Sequence, residues 1–221
     1  MSGTGATGGH CGAGAEPSRW VCRWAHLVAA GGAVLDVASG AGRHARWFAQ
    51  RGHPVTAIDR DAGALATLRG EPHGAAVDTL EADLEGGPWP LPDDARFAAI
   101  VVTHYLHRPL LPRLAEALAP GGVLIYETFA QGNETVGKPS NPAFLLAPGE
   151  LLAAFAPTLR VIAYEDGFVS APREAFVQRI SAVRELPRVE AGRRSGDQTG
   201  PQHPGNTASR DLPVPRYDLA G

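Results

Sequence analysis

The chain contains almost no lysine and very little cysteine. Of its 20 lysine and arginine residues only Lys138 is a lysine, and the net charge is −3 at pH 7. A broad basic face that follows nucleic-acid phosphates is therefore not indicated, and we expect no nucleic-acid partner. The 2 cysteines, Cys11 and Cys22, indicate neither a disulfide framework nor a metal site, so a cytoplasmic location is expected.

Long apolar runs are also missing. No segment approaches the roughly 20 consecutive apolar residues that a transmembrane helix needs. Arg23 and His26 interrupt the apolar stretch near the N-terminus, and residues 1–14 are small and polar. We therefore expect neither a membrane span nor a signal peptide.

What the sequence does contain fits one domain of ordinary size. Hydrophobic residues make up 44% of the 221 residues, which is enough for one buried core. Residues 1–17 and 187–221 have few apolar residues and no apolar period, which predicts a disordered N-terminal tail and a flexible C-terminal tail around a domain at residues 18–186. The sequence does not distinguish a monomer from a homodimer.

Short apolar runs alternate with helical segments, which predicts an α/β fold with a Rossmann-like, doubly wound sheet. We expect this sheet to be mostly parallel, with one antiparallel strand near the C-terminus. The predicted strands are Ala33–Ala38, Val55–Asp59, Val77–Glu81, Ile100–Thr103 and Val123–Glu127, then a closing antiparallel pair at Leu159–Tyr164 and Ala175–Val183. The predicted helices are Arg19–Ala30, one that ends at Gln50, Ala62–Leu68, Leu110–Leu118 and Pro148–Ala156.

A glycine-rich turn directly follows the first predicted strand. The turn is Gly40-Ala41-Gly42-Arg43-His44-Ala45; Asp36 lies in the strand before it and Asp59 ends the next strand. Such a turn at a helix N-terminus favours anions, as in dinucleotide-binding proteins. A carboxylate at Asp36, however, would repel a pyrophosphate by on the order of 4 kcal/mol at about 4 Å. S-adenosylmethionine, which carries an ammonium and a sulfonium but no phosphate, fits the acid better.

These blocks resemble the class I S-adenosylmethionine-dependent methyltransferases. Their first motif, acidic-x-Gly-x-Gly-x-Gly, is matched by Asp36-Val37-Ala38-Ser39-Gly40-Ala41-Gly42, with Ala38 where the family usually has glycine. VTAIDRD, Glu81-Ala82-Asp83, AAIVVTHYL and LAPGGVLIYET follow in the family's order. The blocks VVTHYLHRPLL and YETFAQGNETVGKPSNPAFLLAPGELL are similar to small stand-alone bacterial methyltransferases of the tellurite-resistance type.

The resemblance implies S-adenosylmethionine as the cofactor and methyl transfer to a small-molecule or inorganic acceptor. Asp59 would hold the ribose hydroxyls, and Asp83 would lie beside the adenine. The residues implied for cofactor binding are Asp36, Ala38, Ser39, Gly40, Gly42, Asp59, Arg60, Asp83, Leu84 and Thr103.

The acceptor would meet the cofactor beyond the fourth strand. The residues predicted to line this pocket and to act in catalysis are His104, Tyr105, His107 and Glu127. We predict no metal there, because two histidines lack the further ligands that zinc needs. The long segment Thr128–Ala147 is a candidate lid over the substrate.

Two alternatives stay open. One is an NAD(P)-dependent oxidoreductase on a Rossmann fold, and the other is a non-catalytic cofactor-binding protein, for which Ala38 in the glycine motif is slight support. Methylation of cytosine or uracil carbon is excluded, because both cysteines precede the first strand and cannot supply the nucleophile.

Overall fold

The computed structural model describes residues 16–186, Tyr217 and Leu219. The remaining residues of the two predicted tails lie outside this part of the chain. The described residues contain seven strands, which form one sheet. They are β1 (Val34–Val37), β2 (Val55–Asp59), β3 (Val77–Glu81), β4 (Phe97–Thr103), β5 (Leu118–Phe129), β6 (Arg160–Val169) and β7 (Ala175–Val183).

The strands follow the order β3-β2-β1-β4-β5-β7-β6. Every neighbouring pair from β3 to β5 is parallel, whereas β7 is antiparallel to both β5 and β6. The predicted sheet, mostly parallel with one antiparallel strand near the C-terminus, is confirmed. The strand order reverses between β1 and β4, which is where open α/β sheets bind ligands.

Five α-helices of the described part of the chain cover the sheet. They are α1 (Arg19–Trp24), α2 (Arg43–Ala49), α3 (Ala62–Gly70), α4 (Leu111–Glu116) and α5 (Glu150–Phe155). Single 3-10 turns occur at Ala25–Leu27, Gly74–Ala76, Arg108–Leu110, Asn133–Thr135 and Pro142–Phe144. None of the helices in the described residues has both the length and the apolar character needed to cross a bilayer.

The helices begin where the sequence provides caps. The Ser18 hydroxyl accepts hydrogen bonds from the backbone N–H groups of Trp20 and Val21 at the start of α1. Asp61 accepts from Gly63 and Ala64 in the same way at the start of α3. Side-chain caps of this kind satisfy N–H groups that have no partner within the helix.

The core has two layers, one on each face of the sheet. Leu35 and Val37 of β1 pack in the layer that contains the buried residues of α4 and α5. Val34 packs in the opposite layer with the buried residues of α1, α2 and α3. Because side chains alternate along a strand, Asp36 lies on the same face as Val34, beneath the start of α2.

Two predicted boundaries are wrong around Leu118. The sequence predicts a helix to Leu118 and a strand from Val123, but α4 ends at Glu116 and β5 begins at Leu118. Pro120-Gly121-Gly122 resembles a turn, yet the strand continues through it with a register shift opposite Phe97. Gly121 adopts a φ of 80° and donates to the Arg184 carbonyl, so the irregularity belongs to the sheet.

The first helix is also shorter than predicted. The sequence predicts a helix from Arg19 to Ala30, whereas α1 ends at Trp24 and one 3-10 turn follows. Val28 is already extended, with a φ of −76° and a ψ of 125°. Gly31 and Gly32, which directly follow the predicted end of this helix, lie in the connection to β1.

Candidate active site

Asp36 is buried in β1 and holds the start of α2. It is only 1% exposed, and its Oδ2 atom accepts a hydrogen bond of 3.0 Å from the Ala45 backbone N–H. Burial raises the pKa of Asp36 to about 7, although the Ala45 N–H group and the Arg43 charge act in the opposite direction. The carboxyl group therefore fixes the glycine turn against the sheet, with a proton affinity that is high for an aspartate.

The glycine turn requires left-handed backbone at three positions. Gly40 and Gly42 have φ values of 54° and 69°, and Ala38 has a φ of 53° without being a glycine. A Cβ atom on Gly42 would lie 2.5 Å from a methyl carbon of Leu68, so this glycine lets α3 pack against the turn. Ser39 donates its N–H to the Ile58 carbonyl, which joins the turn to β2.

Asp59, at the end of β2, closes the other side of the turn. Its Oδ2 atom accepts a hydrogen bond of 2.7 Å from the Gly40 N–H, and its Oδ1 atom accepts one of 2.9 Å from the Asp61 N–H. The side chain stays partly exposed. The same carboxylate is thus positioned by backbone donors and open to a ligand.

A cavity of about 160 Å³ lies beyond the carboxyl ends of β2, β3 and β4. It brings together five of the predicted cofactor residues, none of them a glycine, with three further residues. The cavity is lined by Ala38, Asp59, Arg60, Ala82, Asp83, Leu84, Glu85 and Tyr105. Ser39, Gly40, Gly42 and Thr103 are outside this lining, and Asp36 is buried within the sheet.

Asp83 lies on an exposed loop at the mouth of the cavity. Its Oδ1 atom accepts a hydrogen bond of 3.0 Å from the Glu85 N–H. The N–H groups of Glu85 and Gly86 lower the pKa of Asp83 below its usual value, so this carboxylate is ionised at neutral pH. Sequence reasoning missed Glu85 and Ala82, which follow from the path of the loop after β3.

His104 and Phe129 form a second group, beyond the ends of β4 and β5. Their rings stack with centroids 5.0 Å apart, and the His104 N–H donates to the Glu127 carbonyl. Arg173 lies 5.4 Å from the centre of the Phe129 ring. Burial lowers the pKa of His104, and the charges of Arg43, Arg173 and Arg179 lower it further against the opposing effect of Glu127.

Glu127 is a buried carboxylate with a fixed partner. It is 6% exposed, and its Oε2 atom accepts a hydrogen bond of 2.9 Å from the Nε atom of Arg179. Arg179 also contacts Glu165 at 3.2 Å. The charge of Glu127 is therefore compensated by an arginine whose own charge lowers the pKa of His104. Sequence reasoning missed Arg179, since only the pairing of β5 with β7 brings it opposite Glu127.

The two remaining predicted acceptor residues lie in different surroundings. Tyr105 is in the wall of the cavity with Asp59 and Asp83 rather than in the group around His104. His107 precedes the 3-10 turn at Arg108–Leu110 and makes no side-chain cap there. Arg108, which follows His107, binds Glu150 and two carbonyl groups of the candidate lid.

The residues of the cavity suit the adenosine part of S-adenosylmethionine. Asp59, Asp83 and Glu85 provide acceptors for its hydroxyl and amino groups. Tyr105 has a buried hydroxyl without a hydrogen-bond partner among the described residues, which is a donor that a ligand could use. The cavity is smaller than the roughly 300 Å³ at which ligand pockets begin, so a bound cofactor would have to widen it.

Comparison with known proteins finds matches for part of the chain. Residues 34–122 match a protein family described as a methyltransferase domain. A malonyl-[acyl-carrier protein] O-methyltransferase from Serratia marcescens is 36% identical over 104 residues, which cover 45% of this chain and 39% of that protein. The match therefore spans about two fifths of the length of this curated relative.

Solved structures extend the similarity of the fold beyond this region. TehB from Haemophilus influenzae has a TM-score of 0.61 at 17% identity, over 73% of this chain and 60% of that one. The glycopeptide N-methyltransferase MtfA complexed with S-adenosyl-L-homocysteine has a TM-score of 0.56 at 18% identity, over 80% and 94% of the two chains. Residues 34–122 are therefore similar to a methyltransferase domain, and the described part of the chain has a fold similar to that of TehB.

Proposed function

We propose that this protein transfers the methyl group of S-adenosylmethionine to a small-molecule acceptor that carries a negative charge. The observation that carries the proposal is the arrangement at the switch point of the sheet. A cavity with carboxylates lies beyond β2 and β3, and the charges of Arg43, Arg173 and Arg179 act on His104 beyond β4. One region suits a cofactor with donor groups, and the other suits an anion.

The charges around His104 favour a negative acceptor. Arg43, Arg173 and Arg179 all lower the pKa of His104, so each places positive potential on the ring. Glu127 and Glu165 partly compensate Arg179, whereas Arg173 is exposed beside Phe129. Arg43 and Arg173 are therefore the residues we assign to holding the acceptor.

The chemistry requires little acid–base catalysis from the chain. When bound, the cofactor supplies a methyl group on a positively charged sulfur. An anionic acceptor already has the electron pair that forms the new bond, so it needs to be held in line and kept from water. His104 fits this role, because its lowered pKa keeps the ring neutral at pH 7 and its stacking on Phe129 fixes the ring. The relative from Serratia marcescens is named as an O-methyltransferase, which agrees with an oxygen acceptor.

The first experiment measures thermal unfolding of the purified protein with S-adenosylhomocysteine, NAD or NADP. Ligand at about a hundred times its dissociation constant adds about 2.7 kcal/mol to the free energy of unfolding. We expect the midpoint to rise by about 5 to 10 °C with S-adenosylhomocysteine alone. A shift only with NAD or NADP would contradict the assignment of the cofactor.

The same protein is then supplied with S-adenosylmethionine that carries a labelled methyl group. Acceptors are tested in matched pairs, a carboxylic acid beside its amide and an oxyanion beside a neutral ester. Labelled product is expected from the anionic member of a pair, and the Arg173→Gln variant should reduce this turnover. Equal turnover of neutral and anionic members would contradict the charge of the proposed acceptor, and cofactor binding without any turnover would favour a non-catalytic role.

A further inference from the structure

The hydroxyl of Tyr105 differs from the carboxyl groups of Asp59 and Asp83 in the same cavity, which both accept backbone hydrogen bonds. The oxygen is buried and has no hydrogen-bond partner among the described residues. The backbone around it is fixed, since the Tyr126 hydroxyl donates a hydrogen bond of 2.8 Å to the Tyr105 carbonyl. An unpaired buried hydroxyl destabilises a fold, so its retention in a cavity wall is consistent with a partner that arrives with a ligand.

The neighbours of Tyr105 determine what kind of ligand atom it can meet. The carboxyl groups of Asp59, Asp83 and Glu85 are acceptors that suit the ribose hydroxyls and the exocyclic amino group of adenine, all of which can donate. The ring nitrogens of adenine are acceptors and need a donor. Burial raises the pKa of Tyr105 to about 12, and the charges of Glu85 and Asp83 add to this effect. Its hydroxyl therefore keeps its proton at neutral pH and can donate it.

We propose that the Tyr105 hydroxyl binds the adenine of the cofactor by donating a hydrogen bond to one of the ring nitrogens. The proposal rests on the proposed function insofar as S-adenosylmethionine must enter this cavity. In this proposal Tyr105 binds the cofactor, and the residues around His104 bind the acceptor. Because Tyr105 lines this cavity and its hydroxyl is buried, the contact requires the cavity to widen at the wall formed by Tyr105 when the adenine enters.

The test compares the Tyr105→Phe variant with the wild type by calorimetric titration of S-adenosylhomocysteine. The variant keeps the ring and the Tyr126 contact, which is made to the backbone. We expect its dissociation constant to rise roughly ten-fold, because a ligand acceptor loses its donor. Its unfolding midpoint without ligand should stay the same or rise, since an unpaired buried hydroxyl is removed. The matched control is Tyr164→Phe, whose hydroxyl contacts Asp166 at 3.0 Å and lies outside the cavity lining.

Deaza analogues of S-adenosylhomocysteine then identify the nitrogen. The wild type should bind one of the 1-deaza, 3-deaza and 7-deaza forms roughly ten-fold more weakly than S-adenosylhomocysteine itself. The Tyr105→Phe variant should bind that deaza form and S-adenosylhomocysteine with equal affinity. If the wild type binds S-adenosylhomocysteine and Tyr105→Phe binds it equally well, the role of Tyr105 is wrong. If the wild type does not bind S-adenosylhomocysteine at all, the proposed function fails first. A variant that loses stability without losing affinity also contradicts the proposal, because that result assigns Tyr105 to the core.

Discussion

Ala38 occupies a backbone conformation that normally requires glycine. Its φ of 53° is in the left-handed region, where a Cβ atom costs a non-glycine residue roughly 1–2 kcal/mol. The residue also lines the cavity beyond the carboxyl ends of β2, β3 and β4, so the strain lies in the wall of the candidate site. The hydrogen bonds that Asp59 and Ile58 accept from Gly40 and Ser39 hold the turn in this shape despite the strain.

Replacement of Ala38 by glycine should therefore stabilise the protein. Relief of the strain is opposed by the greater freedom of glycine in the unfolded chain, which costs about 0.4–1 kcal/mol. We expect the free energy of unfolding in urea to rise by roughly 0.5–1 kcal/mol, with binding of S-adenosylhomocysteine retained. Ala41→Gly is the control, because Ala41 lies in the same turn without a positive φ and its variant should lose stability. A loss in both variants would mean that Ala38 is not strained.

At the scale of elements, one arginine fastens the candidate lid to the loop after β4. Arg108 binds Glu150 through two hydrogen bonds, of 2.6 and 3.0 Å, and donates to the carbonyls of Ala143 and Leu145. Glu150 in turn accepts a hydrogen bond of 2.8 Å from the Ala147 N–H. The planar guanidinium group fits this set of acceptors, whereas a lysine would reach only part of it.

The Arg108→Lys variant should loosen the lid without unfolding the domain. We expect hydrogen exchange at the Leu146 and Ala147 amides to accelerate roughly ten-fold, because local opening loses the bidentate contact. The amides of β1 should exchange as in the wild type. Arg113→Lys is the matched control, since Arg113 lies on α4 and its ion pairs, with Asp93 and Glu116, are both outside the lid. Unchanged exchange at Ala147 in Arg108→Lys would show that the lid is held by its other contacts.

The elements also explain what the sequence could predict. β2, β3 and β7 match their predicted bounds because apolar runs and the polar residues that end them are local signals. The cavity acids Asp59 and Asp83 follow from the same signals, since parallel strands end at one edge. The Glu127–Arg179 and Arg108–Glu150 pairs join residues 52 and 42 positions apart, so they depend on strand register and on the path of the lid. No local pattern in the sequence contains that information.

At the scale of the whole molecule, two buried groups beside the glycine turn oppose each other in their effect on stability. Burial raises the pKa of Asp36 from 3.8 to about 7, so the folded state binds a proton more tightly than the unfolded chain. Burial lowers the pKa of His44 from 6.5 to about 3, so the folded state binds a proton less tightly there. His44 is 2% exposed and accepts a hydrogen bond from the Ser18 N–H through its Nε2 atom, which joins α1 to the turn.

The contribution of Asp36 to stability is complete below pH 3.8 and is lost as the pH rises through about 7. The contribution of His44 is complete above pH 6.5 and is lost as the pH falls through about 3. Between about pH 4 and 6.5 each group changes the free energy of unfolding by up to about 1.4 kcal/mol per pH unit, in opposite directions. We therefore expect these two effects largely to cancel in the wild type.

The Asp36→Asn variant should remove this cancellation, because an asparagine oxygen can still accept the Ala45 N–H but has no charge to bury. In urea unfolding measured from pH 4 to 8, its free energy of unfolding should rise relative to that of the wild type by up to about 1.4 kcal/mol per pH unit as far as about pH 7. The His44→Gln variant should show the opposite trend, with a free energy of unfolding that falls relative to the wild type over the same range. Parallel curves for the wild type and Asp36→Asn would mean that Asp36 titrates alike in the folded and unfolded protein. That result would show that the proton affinity of Asp36 is not unusual. The hydrogen bond that Asp36 accepts from the Ala45 N–H would still explain how it holds the start of α2.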